Sequence, residues 1–316
     1  MPEPEFEVVV HERQDAAEGV VAIDLVAPSG AELPGWTPGS HLDVMLTDDL
    51  VRQYSLCGDP ADRHRYRIGV LREPESRGGS AFVHDKLHPG ATVRVRGPRN
   101  NFELVDADRY VFVAGGIGIT PILPMIRAVA AAGADWSLVY GGRTESSMAF
   151  VDALRATDPD RVHLRPQEQH GLLDLGATLA GRDAGTAVYC CGPAPLIDAV
   201  QEHVAADPGG SLHVERFVNA LVSGPDEDSS FEVELASSGT SLTVPADRSI
   251  LDVAEEAGVD VDWSCREGVC GSCQTAVISG DIDHRDAVLS DDERESGDVM
   301  QICVSRAAGP KLVLDL

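Results

Sequence analysis

"CREGVCGSCQT", residues 265–275, places three cysteines within nine positions, and "MQICVSR", residues 300–306, adds a fourth. The resulting spacing, C-x4-C-x2-C-x29-C, decides how the end of the chain is read. A zinc ribbon calls for two C-x2-C pairs, and only Cys270 and Cys273 form one. A Rieske centre needs histidines paired with cysteines, and no Cys-x-His occurs. The plant-type [2Fe–2S] pattern fits, with Cys265, Cys270, Cys273 and Cys303 as ligands; zinc stays open as a minor alternative. A loop carrying three thiolates must wrap its cluster closely, which asks for small residues and a backbone free to turn. Ser264, Gly268, Gly271 and Ser272 supply both.

Upstream of that loop, "FEVELASSGTSLTVPADRSILDVAEEAG" (231–258) reads as two strands and a helix, so residues 230–316 form an α+β ferredoxin-type domain. The preceding "LVSGPDEDSS" is rich in Gly, Pro, Ser and acid, and predicts a linker over 222–229. Residues 106–221 alternate strand-like and helix-like runs: "RYVFVAGG" then "ITPILPMIRAVAAAG", "TAVYCCGP" then "APLIDAVQEHVAA". That alternation implies an α/β domain with a parallel sheet. Residues 1–105 hold short β-rich runs such as "FEVVV", "VVAIDLVA", "HLDVML" and "TVRVRG" between turn residues, the pattern of an antiparallel β-barrel. The fold class is therefore multidomain.

Composition limits the function. No apolar run approaches the roughly 18 residues a membrane span requires. The opening "MPEPEFEVVVHERQD" has no basic region followed by an apolar stretch, so the expected location is cytoplasmic. Seven cysteines, most of them clustered late, suit ligands plus packed bystanders better than a disulfide framework. A net charge of −27 argues against nucleic acid and anionic membranes as partners. Residues 230–316 carry 18 Asp and Glu against 6 Lys and Arg. That excess serves either as a solvated surface or as a docking face for a basic partner.

Two further stretches suggest ligands. In "RQYSL" (52–56) and "RGGSAFVHDKL" (77–87), Gly78, Gly79 and Ser80 precede an apolar helix-like run, so free N–H groups would face a phosphate, with Arg52 supplying charge. In "VAGGIGITPILPM" (113–125), Gly115, Gly116 and Gly118 end a strand and open a helix, which lets a pyrophosphate approach the backbone or simply makes a tight turn. Arg143 follows the domain's second strand, where a cation meets an adenosine ribose or a 2′-phosphate.

Taken in order, "RQYS", "RGGS", "GGIGITP", "CGP" (191–193), "ERF" (215–217) and the late cysteine loop resemble the phthalate dioxygenase reductase and vanillate O-demethylase reductase family across nearly the whole chain. The resemblance implies a flavin barrel, an NAD-binding α/β domain and a β-grasp ferredoxin domain. It assigns Arg52, Tyr54, Ser55, Arg77, Gly78, Gly79 and Ser80 to the flavin, which in this family is FMN, with FAD the less favoured alternative. It assigns Gly116, Gly118, Thr120 and Pro121 to the pyridine-nucleotide turn, and Cys191, Gly192 and Pro193 beside the nicotinamide. Phe217 matches an aromatic that covers the flavin ring, although a residue buried at a domain boundary would look the same.

The implied chemistry follows from electron counting. NADH, or NADPH in its place, delivers a two-electron hydride, whereas the cluster takes single electrons; a flavin converts one to the other. No side chain is needed as general acid or base. With no site for substrate oxidation in this chain, the resemblance implies a monomeric reductase serving a separate Rieske-type oxygenase or O-demethylase that acts on an aromatic acid, docked at the acidic ferredoxin domain. A reductase for a haem-thiolate monooxygenase or a separate ferredoxin, and a redox sensor, are the alternatives.

Overall fold

Alternating apolar and polar residues near the start become antiparallel strands in the computed structural model, which describes residues 3–47, 50–74, 78–207, 209–219 and 229–316. Arg77 and residues 222–228 of the expected linker lie outside the described residues. The chain divides into two units, Met1–Glu215 and Arg216–Leu316.

The first unit opens with strands β1 (Glu5–Ala17), β2 (Val20–Val26), β3 (Ser40–Thr47), β4 (Leu50–Ser55), β5 (Tyr66–Leu71) and β6 (Thr92–Asn100), and helix α1 (Gly79–Lys86) lies between β5 and β6. The strands pair antiparallel in the order β4-β3-β6-β1-β2-β5. A bridge between Leu56 and Ile68 brings the two edges together, so the sheet curls toward a barrel around Ile23, Leu25, Leu42, Val44, Tyr66 and Ile68. Asp43 is fully buried inside it, bonded to Gln53, Arg96 and Arg99, which gives that carboxylate the partners a buried charge requires.

The same unit continues with β7 (Arg109–Gly115), α2 (Ile119–Ala131), β8 (Asp135–Gly142), α3 (Val151–Thr157), β9 (Val162–Pro166), the short turns α4 (Gln167–His170) and α5 (Leu175–Thr178), β10 (Thr186–Cys191), α6 (Ala194–Ala206) and β11 (Ser211–Glu215). All five strands run parallel in the order β11-β10-β7-β8-β9. Continuous apolar strands such as "VYCC" are required here because helices cover both faces. The order reverses between β7 and β10, and such a switch point is where doubly wound sheets bind ligands. Arg127 on α2 donates to the carbonyls of Cys57 (3.4 Å) and Gly58 (3.0 Å), tying the helix after β7 to the chain after β4.

The second unit contains β12 (Phe231–Leu235), β13 (Thr240–Val244), α7 (Ile250–Glu256), β14 (Gln274–Ser279), β15 (Ile282–Asp283), α8 (Asp291–Ser296), β16 (Val299–Gln301), β17 (Arg306–Ala307) and β18 (Lys311–Leu314). Its five-stranded sheet has the order β13-β12-β18-β14-β16 with β12 and β18 parallel, a β-grasp arrangement. Ser249 and Asp252 form a reciprocal cap that starts α7. Among the described residues no helix is long and apolar enough to cross a membrane.

Candidate functional site

The four cysteines of the spacing motif come together. Cys265 lies within hydrogen-bonding reach of Cys270 and Cys303, and Cys273 within reach of Cys303. The amides of Glu267 and Ser272 point at the Cys265 (3.2 Å) and Cys270 (3.4 Å) sulfurs. Gly268 and Gly271 make this possible with φ of 69° and 75°, a region costly for residues with a Cβ. Four crowded thiols cannot all ionise without a cation between them: donation from Cys270 pulls the Cys265 thiol down, while the neighbouring Cys265 holds Cys270 and Cys303 up. Ser264 beside them has a buried hydroxyl with no hydrogen-bond partner among the described residues. No three His, Cys, Asp or Glu side chains among the described residues are arranged for a single metal ion. Four thiols supply two sulfurs to each iron of a two-iron cluster, and the C-x4-C-x2-C spacing, which lacks a zinc ribbon's second C-x2-C pair, selects that cluster over zinc.

In the first unit, Gly78 adopts φ 89° at the start of α1 and, as glycine, brings no capping side chain. A Cβ added to Gly79 would sit 2.5 Å from Cγ of Arg52, so β4 and the start of α1 are in direct contact. Glycine at 79 and arginine at 52 thus shape one cradle suited to a phosphate. Ser80 is engaged locally, its Oγ accepting from the Glu73 amide at 3.1 Å. Tyr54 is partly buried, and loss of hydration pushes its phenol above the usual range.

The switch point is equally tight. Gly116 adopts φ 53°, and its carbonyl accepts from the Tyr140 hydroxyl at 3.1 Å. A Cβ on Gly118 would meet the Cys191 carbonyl oxygen at 2.3 Å. Thr120 is buried and donates to Ile117, and Pro121 sits in the first turn of α2. Gly69 on β5 leaves room for Thr120, whose Cγ2 would lie 2.8 Å from an added Cβ. Gly192 and Pro193 lead from β10 into α6, while Arg143 is exposed beyond β8.

One residue, read in the sequence only within "ERF" and with no role of its own, is a functional candidate. Glu215, the last residue of β11, approaches both Ser55 at the end of β4 (3.4 Å) and the Cys191 thiol (3.9 Å). Burial raises the Glu215 carboxyl to about 8 and pushes the Cys191 thiol well up, so both are neutral at pH 7. The available signal was a carboxylate at the C-terminal end of a parallel strand beside the switch point, where doubly wound sheets bind ligands. Because the folded carboxyl holds its proton up to about pH 8 and an unfolded one releases it near 4.5, this group's contribution to stability is full below 4.5. It is lost as pH rises to about 8 and is constant above. Glu215→Gln is expected to flatten that slope, read from melting temperatures between pH 5 and 8.5; parallel curves for both proteins would contradict it.

Phe217 stands two residues into the second unit with its side chain 36% exposed. Cys57 and Cys190 are fully buried and packed.

A model of the 2Fe-2S iron-sulfur cluster binding domain matches residues 233–308. A model of the dimethylamine monooxygenase subunit DmmA-like N-terminal domain matches residues 92–209. Phenoxybenzoate dioxygenase subunit beta of Ectopseudomonas oleovorans is 44% identical over 97% of this chain and 96% of its own length. The crystallised phthalate dioxygenase reductase, described as modular for electron transfer from pyridine nucleotides to [2Fe-2S], is 38% identical with a TM-score of 0.72, over 99% of this chain and 98% of that one. The chain belongs to the phthalate dioxygenase reductase family. It is an oxidoreductase with an antiparallel barrel, a parallel α/β sheet and a β-grasp ferredoxin domain. This reductase also matches an intact type IV self-sufficient cytochrome P450 monooxygenase at 44% identity and TM-score 0.91; all of this chain corresponds to 42% of that one.

Proposed function

We propose that this reductase takes hydride from NADH at the switch point, holds FMN on the barrel and a [2Fe–2S] cluster on the four cysteines, and passes electrons to a separate Rieske-type oxygenase or O-demethylase acting on an aromatic acid. Its parts divide at 1–105, 106–221, 222–229 and 230–316, and it works as a cytoplasmic monomer. The observation that carries this reading is the meeting of Ser55, Cys191 and Glu215, which joins the end of the flavin strand to the end of the nicotinamide strand. When bound, the flavin converts a two-electron donor to one-electron delivery.

The residues supply placement. Arg52 and the α1 amides hold a phosphate; Gly116 and Gly118 admit the nucleotide; the neutral Cys191 and Glu215 leave no fixed negative charge where a hydride must cross. Gly79→Ala would drive the Arg52 stem away from the phosphate turn. FMN affinity is expected to fall about tenfold, the scale of one charge-assisted contact. Fluorescence titration of the apoprotein checks this, and unchanged affinity would place the phosphate elsewhere.

Mixing the purified protein with NADH and candidate oxygenases tests the assignment; failure to reduce any of them despite rapid cytochrome c reduction would remove it. A second reading, service to a haem-thiolate monooxygenase, is favoured by the self-sufficient P450 and wins if only a P450 is reduced. Docking on the acidic ferredoxin domain predicts that transfer slows as salt rises. Charge reversal at the exposed Asp260 and Asp262 should slow it several-fold, leaving flavin reduction by NADH intact. Salt-independent transfer would return those acids to solvation.

A further inference from the structure

We propose that Arg266 is a positioning residue of the four-cysteine site: it clamps the ligand loop to α7, and its charge raises the reduction potential there. This rests on the [2Fe–2S] reading of those cysteines and adds a residue that is not itself a ligand. Arg266 directly follows Cys265 and is the one base in residues 262–275. Its φ is 55°; among the described residues, Phe150 is the only other non-glycine with a positive φ. A residue with a Cβ keeps that conformation only where its surroundings hold it. Here the turn it makes aims the next amide, that of Glu267, back at the Cys265 sulfur at 3.2 Å.

Three contacts hold the turn. The guanidinium lies 3.8 Å from the centre of the Trp263 ring, donates to Asp252 Oδ1 at 2.6 Å and pairs with Glu255. Asp252 is itself fixed, because its other oxygen accepts from the Ser249 amide at 3.2 Å in the cap of α7. That helix is anchored in turn at the far end of the ligand set. The Leu251 amide donates to the Ile302 carbonyl at 3.1 Å, one residue before Cys303. Leu251 is fully buried in the core that also holds Cys273 and Cys303. One helix therefore spans the first and last sulfurs of the motif, with Arg266 as the strap on the loop side. A lysine would bring the charge without the fork or the flat face. Potentials of iron–sulfur sites follow the net charge around them and the hydrogen bonds to their sulfurs. Electron uptake adds negative charge to residues 230–316, where 18 acids already face 6 bases. Loss of Arg266 removes a cation beside the first ligand and strips Asp252 and Glu255 of their guanidinium, and both changes lower the potential.

The test uses the full chain reconstituted with iron and sulfide, with two readouts that need no turnover: the midpoint potential from a titration followed by electron paramagnetic resonance, and iron release to a chelator. Arg266→Gly accepts the left-handed φ but has no clamp. Its ratio of reduced to oxidised site at a fixed potential should fall at least threefold, a midpoint lower by about 28 mV at 59 mV per tenfold. Arg266→Ala loses the clamp and keeps the backbone cost, so iron should leave at least threefold faster than from the wild type, and faster than from Arg266→Gly. Arg266→Lys keeps the charge alone; its ratio should stay within threefold of the wild type while iron still leaves faster. Should Arg266→Ala fail to fold, the glycine variant decides the charge and the lysine variant decides the clamp. The proposal is overturned by a smaller shift in Arg266→Gly, by a lysine midpoint as low as the glycine one, or by iron release that the substitutions leave unchanged, and the cluster reading then still stands. A wild-type chain that takes up no iron and sulfide removes the cluster reading and the proposal together.

Discussion

Cys303→Ser is expected to abolish electron export while sparing hydride uptake. The substitution keeps the size of a nearly buried side chain in the core of the second unit, next to Ile302, so the fold survives. The sulfur set it breaks is shared, since Cys303 reaches both Cys265 and Cys273. Changing partners around a metal centre already costs 10–100-fold, so loss of a ligand should cut cytochrome c or oxygenase reduction by more than about 100-fold. Ferricyanide reduction by NADH, which draws on the first unit alone, should stay within about threefold. Iron and acid-labile sulfide analysis gives the direct readout. A variant that keeps its cluster and its export rate would show that the C-x4-C-x2-C-x29-C reading names the wrong sulfurs.

Gly118→Ala should be nearly as damaging at the other end of the path. Its added carbon would lie 2.3 Å from the oxygen and 2.4 Å from the carbon of Cys191's carbonyl, and 2.6 Å from the amide of Gly192. All three atoms are backbone at the junction of β7 and β10, so nothing can rotate away. Overpacking of this kind costs about 1–3 kcal/mol, and the first unit should melt roughly 5 °C lower. Separation of the two strand ends should also lower kcat/KM for NADH by about 100-fold, because misplacement of about 1 Å is worth that much. Gly176→Ala is the control: it sits in a helical turn with only Asp174 Oδ1 at 3.5 Å, and its substitution should change neither quantity appreciably. Equal behaviour of the two variants would contradict the close-approach argument.

What was legible beforehand follows the range of each interaction. Cluster ligands declare themselves because a metal imposes spacing on a short segment, and three of the four thiols lie within nine residues. The change from antiparallel to parallel strands was likewise written locally, in runs of β-branched residues and then in strand-helix alternation. Glu215 could not be read this way: its partners stand 160 and 24 positions away, and only the approach of the barrel's edge strand β4 to the β10-β11 edge of the parallel sheet brings them to one point. Phe217 shows the converse, a residue whose local sequence admitted burial at a boundary and whose side chain is 36% exposed.

The position of Glu215 has a consequence for anyone who would exchange the electron outlet of this protein. The first unit ends at Glu215 and the second begins at Arg216, with the carboxyl bonded entirely to the first. A graft of a foreign ferredoxin module must therefore be spliced after position 215. A splice a few residues earlier would swap the visible module and silently discard the acid held between Ser55 and Cys191. Such a chimera would carry a sound cluster and a sound barrel and still be impaired, with the fault lying in the seam.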